Sequence, residues 1–249
     1  MSTRDVVQDI VKHTAGLGFI GSVKVTGTET ETMLDAMDSD RTVILQARLH
    51  NAVPEFSGEF GLGNLGFLNG VSSLPNYQTD DATVEVVSRD RNGVTAPDHL
   101  LFKDAAGNTD QYRFMSKEIV EQTLQTVKFK GVEWDVTIEP TKQKVSELQQ
   151  VAGIYGGIEP NFTVKTENGN LIVTVGASDG SFTGKRTFAQ NVDGELNEGY
   201  AWPLSQVLSI LKLGMSGSCV MQISKKGALM ISVDSGIGKY DYILPALTV

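Results

Sequence analysis

The chain holds one cysteine, three histidines and two tryptophans in 249 residues. A single thiol, Cys219, excludes an intrachain disulfide. Its place in the apolar run Ser218-Cys219-Val220-Met221 makes it a core residue rather than a nucleophile. His13, His50 and His99 are scattered and form no metal-ligand spacing, so neither zinc nor any other metal or cofactor is expected. No G-x-S-x-G is present for a serine hydrolase. The longest apolar candidate, Val207 to Leu213, contains Lys212 and is far too short to span a bilayer. The start, Met1-Ser2-Thr3-Arg4-Asp5, has no apolar signal core, and a soluble intracellular protein is expected.

Basic charge is also scarce. Lys and Arg number 21 against 30 Asp and Glu, a net charge of −9. Smeared charge of that sign repels phosphate, which excludes a simple nucleic-acid coat and requires any basic surface to be local. What is present is ordinary for a folded chain, with 40% hydrophobic and 20% charged residues. The length suits one large domain or two small ones.

Periodicity places a helix over Arg4 to Thr14, with Val6, Val7, Ile10, Val11 and Thr14 on one face. Arg4, Asp5, Gln8, Asp9, Lys12 and His13 fall on the other. Ser2-x-x-Asp5 reads as its capping box. Short alternating strands follow at 19–25, 30–37, 42–49 and 55–60, then a Gly-rich helix at 63–73, then strands at 82–88, 99–103 and 111–115. Residues 116–131 carry apolar side chains without a helix or strand pattern and read as a surface connector. The rhythm then restarts. A strand at 132–138 precedes a helix from Lys142 to Gly153, four strands at 162–166, 171–176, 184–191 and 196–202, a helix from Pro203 to Leu213, and strands at 217–224, 228–234 and 239–244. Each half reads helix, four strands, helix, three strands, which is an internal repeat. The turns Asp38-Ser39-Asp40 and Ser178-Asp179-Gly180 sit at matching points.

Gly61-Leu62-Gly63-Asn64-Leu65-Gly66 matches G-x-G-x-x-G, with Asp80 and Asp81 downstream. The strand before it alternates instead of running continuously apolar, and no strand–helix alternation follows. Close helix packing is therefore the reading, with a dinucleotide loop as its alternative. No acid, base and nucleophile assemble, and the chain reads as a non-enzyme. The polar helix stripes are poor in acids. One carries Lys142, Ser146 and Gln149, another Ser205, Ser209 and Lys212, and a third Arg4, Gln8 and Lys12 with Asp5 and Asp9 among them.

The repeat with its connector resembles the sliding-clamp family of DNA polymerase processivity factors. Several stretches resemble the clamps of T4-like bacteriophages: Gly66-Phe67-Leu68-Asn69-Gly70-Val71-Ser72-Ser73-Leu74, Ser146-Glu147-Leu148-Gln149-Gln150-Val151, the hairpin Phe162-Thr163-Val164-Lys165 with Gly169-Asn170-Leu171-Ile172-Val173, and the tail Tyr240-Asp241-Tyr242-Ile243-Leu244-Pro245-Ala246. Asp5 and Asp9 depart from the family's more basic first helix. The resemblance implies an α+β DNA-clamp fold with two similar domains, 1–117 and 132–249, joined by a connector at 118–131. Each domain packs two helices on antiparallel sheet, and three subunits close head to tail around duplex DNA.

The implied protein is a clamp that tethers a viral replicative polymerase in the cytoplasm of an infected bacterium. Its partners are sequence-independent duplex DNA, that polymerase and an ATP-dependent loader, with no membrane. Arg4, Lys12, Lys142, Lys144 and Lys212 are then expected to face DNA. Ile119, Val120, Leu124, Leu244, Pro245 and Leu247 are expected to line a partner-peptide pocket. Strands 111–115 and 184–191 are expected to pair between subunits. The alternative reading is an all-β trimeric virion or tail protein, with a cofactor-binding enzyme third.

Overall fold

A computed structural model describes residues 2–91, 93–124, 129–177 and 180–247. The chain divides into two compact units: Met1–Lys128 with Gly236–Tyr240, and Phe129–Ser235 with Asp241–Val249.

Unit 1 opens with α1 (Thr3–His13). The Ser2 hydroxyl accepts from the Asp5 amide at 3.2 Å, and the Ser2 amide donates to the Asp5 carboxylate at 2.8 Å. That capping box holds the Asp5 carboxyl below its usual range, chiefly through the Ser2 backbone bond. Val6, Val7, Ile10 and Val11 are buried, as the periodicity requires. Strands β1 (Val23–Gly27), β2 (Thr32–Met37), β3 (Ile44–Leu49) and β4 (Gly58–Leu62) form an antiparallel group in the order β4-β1-β2-β3. Burial alternates along β1 and β2, so one face meets the core. The Asp38 carboxylate fixes the β2–β3 turn by accepting from the Thr42 and Val43 amides at 2.7 and 2.8 Å and from the Thr42 hydroxyl. Helix α2 (Leu65–Ser72) then leads to a sheet of β5 (Thr83–Arg91), β6 (Val94–Lys103) and β7 (Thr109–Arg113).

The connector is not patternless. Lys117–Thr123 forms α3, which packs Val120 against β4. Only Val120 of its seven residues is buried, which is why hydrophobic periodicity does not reveal it. Residues 125–128 of the expected connector lie outside the described residues.

Unit 2 repeats the scheme. Strand β8 (Val136–Ile138) precedes α4 (Lys142–Tyr155), whose Thr141 cap accepts from the Lys144 amide at 3.2 Å. Strands β9 (Asn161–Glu167), β10 (Asn170–Gly176), β11 (Thr183–Ala189) and β12 (Tyr200–Pro203) lie in the order β11-β10-β9-β12. Helix α5 (Leu204–Gly214) leads to β13 (Ser218–Ser224), β14 (Ala228–Asp234) and β15 (Gly238–Pro245). The first residues of β15 belong to unit 1 and the last to unit 2.

Apart from α3 in unit 1 and β8 in unit 2, each unit runs α–ββββ–α–βββ, and the first sheets match strand for strand. Even a detail recurs: an isolated antiparallel bridge joins Gly61 to Met115 in unit 1 and Ala201 to Leu247 in unit 2. Of the two turns paired in the sequence, Ser178 and Asp179 lie outside the described residues.

Candidate nucleic-acid interface

On α4, Lys142, Ser146 and Gln149 are exposed along one stripe while Val145, Leu148 and Val151 are buried. On α5, Ser205 and Lys212 are exposed over buried Leu204, Val207, Leu208 and Leu211, and Ser209 between them is half-buried, its hydroxyl donating to the Ser205 carbonyl at 2.9 Å. Between the helices runs a groove of about 450 Å³, lined among others by Gln149, Gly153, Ser205, Ser209 and Lys212. Among the described residues no carboxylate lines it. Lys142 stands in the first turn of α4, where the helix dipole also favours an anion. Among the described residues neither Lys142 nor Lys212 has an ion-pair partner. Lys144 is engaged: its ammonium lies 3.0 Å from Glu147, which also lies 3.9 Å from Arg186.

Unit 1 offers less. The Arg4 guanidinium donates to the carbonyls of Thr79 and Ala82, so its side chain ties α1 to the chain before β5. Lys12 is exposed. Helix α2 has no charged residue, and Gly66, Phe67 and Gly70 are exposed on it.

Asp9 and His13 require a correction. The sequence places both on the polar face of α1, yet both are buried. The Tyr240 hydroxyl donates to Asp9 at 2.7 Å, and the His13 ring stacks on Tyr240 with centroids 4.1 Å apart. Burial pushes the His13 imidazole down to about 4, against the opposing pull of Asp9. Asp9 is therefore withdrawn from any surface that meets phosphate.

The six residues expected to line a peptide pocket divide between the units. In unit 1, Ile119 is exposed on α3, but Val120 is 1% exposed and packs on Gly61. Leu124 borders a cavity of about 710 Å³ with Phe19, Met37, Asp38 and Arg41. In unit 2, Leu244 is 0% exposed, and its carbonyl accepts the Trp202 indole N–H at 3.1 Å. Pro245 is exposed, and the Leu247 amide donates to the Ala201 carbonyl at 2.9 Å. Val120 and Leu244 are core residues and present no docking surface. Apolar side chains in both segments satisfy a core as well as they would a pocket.

The glycine motif closes on protein. A Cβ on Gly61 would lie 2.8 Å from Val120 Cγ2, one on Gly63 would lie 2.7 Å from Met115 Sδ, and the Tyr112 hydroxyl donates to the Gly63 carbonyl. Burial pushes the Cys219 thiol up to about 11, which keeps it protonated. Among the described residues no group of three or more His, Cys, Asp or Glu is placed to hold a metal ion.

Strands β7 and β11, the two expected to pair between subunits, are sheet edges among the described residues. What the sequence did not reveal is the exposed apolar side chains beside each of them. Phe67, 56% exposed, stacks on Tyr112 of β7. Phe182, 64% exposed, immediately precedes β11, and Ile154, 70% exposed, stands at the end of α4 next to Tyr155, which packs under Gly184 of β11.

This architecture is the DNA sliding-clamp fold, α+β with two similar halves. The chain superposes over 100% of its length, with a TM-score of 0.71 and 10% identity, on 97% of the PCNA chain from A. fulgidus solved with the C-terminal region of FEN-1. Over 99% of its length it matches 98% of PCNA from Thermococcus kodakaraensis, with a TM-score of 0.70 and 11% identity. At such identity the fold is what is shared. No family model and no curated protein matches the sequence. No helix among the described residues is long and apolar enough to cross a membrane.

Proposed function

We propose that the protein is a DNA sliding clamp, a non-enzymatic processivity factor that closes as a homotrimer around duplex DNA and tethers a polymerase. The observation that carries this reading is the full-length clamp fold combined with a carboxylate-free face on α4 and α5 in a chain of net charge −9. A clamp must stay on DNA and still slide. Isolated lysines among hydroxyls and amides make phosphate contacts that exchange easily and read no sequence.

The repeat supports the ring. In unit 1 the outer edge of β3 lies beside the first residues of β15. Their repeat counterparts, β11 and β7, are open edges flanked by unlike apolar patches. Pairing β11 of one copy with β7 of the next covers both edges and both patches, and such a heterologous contact closes a ring. The viral setting, the loader and the host-cell location rest on the sequence resemblance.

The test is polymerase stimulation on circular and on short linear templates, with a loader of the T4-like type. Stimulation confined to the circle supports a topological clamp. Equal stimulation on both, or none, removes the reading.

A further inference from the structure

The repeat is broken at one strand. In unit 2, β8 adds to β13 antiparallel, with Ile138 facing Met221, Thr137 facing Gln222 and Val136 facing Ile223. In unit 1 the same place, beside the first strand after the second helix, is next to β5. No described residue pairs with the outer edge of β5 or hydrogen-bonds to it through its backbone. Helix α1 and the short turn Pro54–Phe56 approach β5 without bonding to that edge.

We propose that the outer edge of β5 is a docking site for an extended segment of a partner protein, which adds to it antiparallel as β8 adds to β13. The edge is preformed, because β5 pairs with β6 along its whole length. Its stretch Thr83–Val87 has neither proline nor lysine and a single charge, Glu85; the charged residues Arg89, Asp90 and Arg91 lie beyond it. A register shift between Val87 and Ser88 limits the regular stretch to Thr83–Val87, which exceeds the length β8 occupies on β13.

The same stretch states what the partner must look like. Val84 is buried and Val86 half-buried on the core side, while Thr83 and Glu85 are exposed on the other. Glu85 has no ion-pair partner among the described residues. A fitting segment alternates apolar residues beside Val84 and Val86 with a basic residue beside Glu85. Backbone bonds supply the attachment and the alternating side chains the selectivity. The site does not depend on the DNA reading, since it uses neither α4, α5, β7 nor β11.

The probe is a fluorescent peptide spanning Val132–Glu139 and carrying Thr137→Lys and Glu139→Lys, titrated into the full chain with amide exchange as a second readout. The expected result is saturable binding below about 1 mM, with exchange at 83–87 slowed about tenfold and unchanged elsewhere. N-methylation of alternate peptide amides is expected to abolish binding. Glu85→Lys, on the surface and harmless to the fold, is expected to weaken it about fivefold. Binding that leaves 83–87 unprotected, or that survives N-methylation, overturns the proposal. So does protection of 83–87 that grows with protein concentration in the absence of peptide, because the occupant is then a second copy.

Discussion

Units 1 and 2 share an order of elements and differ in what they leave open. Unit 2 exposes Lys142 on α4 and lines a groove with Lys212 and, among the described residues, no carboxylate, whereas unit 1 ties Arg4 to carbonyls and builds α2 without charge. Unit 2 leaves the edge of β11 open and covers β13; unit 1 covers β3 and leaves the edge of β5 open. The repeat fixes where each function could sit, and the departures from it say which half carries it.

The comparison breaks most visibly at the ring joint. Replacing Ile154 and Phe182 by Asp removes the unit 2 patch from exposed positions, so each monomer should fold. Burial of two such side chains is worth roughly 3–6 kcal/mol per joint, and sedimentation should show the mass fall from about 81 kDa toward 26.9 kDa. Trimers surviving both substitutions would place the joint elsewhere. The DNA face comes next. Lys142→Glu with Lys212→Glu removes six cations from a trimer, which should flatten the slope of log affinity against log salt by roughly 5. Lys12→Glu should flatten it by clearly less than half of that, and a full half, the same effect per lysine, would erase the contrast between the halves.

His13 gives a smaller, pH-dependent effect inside unit 1. Its folded pKa of about 4 lies below the unfolded 6.5, so the unfolded chain binds the extra proton. Stability is full above the unfolded pKa and falls as pH drops toward 4, by about 2 kcal/mol at pH 5. Unfolding free energies from urea titration at pH 7 and 5 should differ by that amount in the native chain and hardly at all in His13→Gln. The smallest effect belongs to Lys144→Ala. Its partly exposed pair with Glu147 should contribute under about 1 kcal/mol to stability, and salt-dependent DNA binding should barely change.

Local signals were the legible ones. The Ser2–Asp5 box, the 3.6-residue stripe of Val6, Val7, Ile10 and Val11, and the Thr141 cap each lie within a few residues of what they determine. Asp9 and His13 were misplaced because their partner is Tyr240, more than 200 residues away. The sequence ends that strand at Ser88, whereas in the fold Arg89, Asp90 and Arg91 continue β5 and pair with β6. The lysine stripes could be seen because helix faces are periodic. The patches at Phe67, Ile154 and Phe182 could not, since an apolar residue near a helix end or turn reads as core until the neighbouring edge is known to be empty.

Topological retention tests the central claim most directly. The protein is threaded onto a linear duplex from its ends, the ends are blocked with biotin and streptavidin, and the complex is washed at about 1 M salt, where charge contacts are screened. The clamp account predicts that the protein stays through the wash and leaves when a restriction enzyme cuts the duplex. Loss in the wash regardless of the block, or retention after the cut, would contradict it.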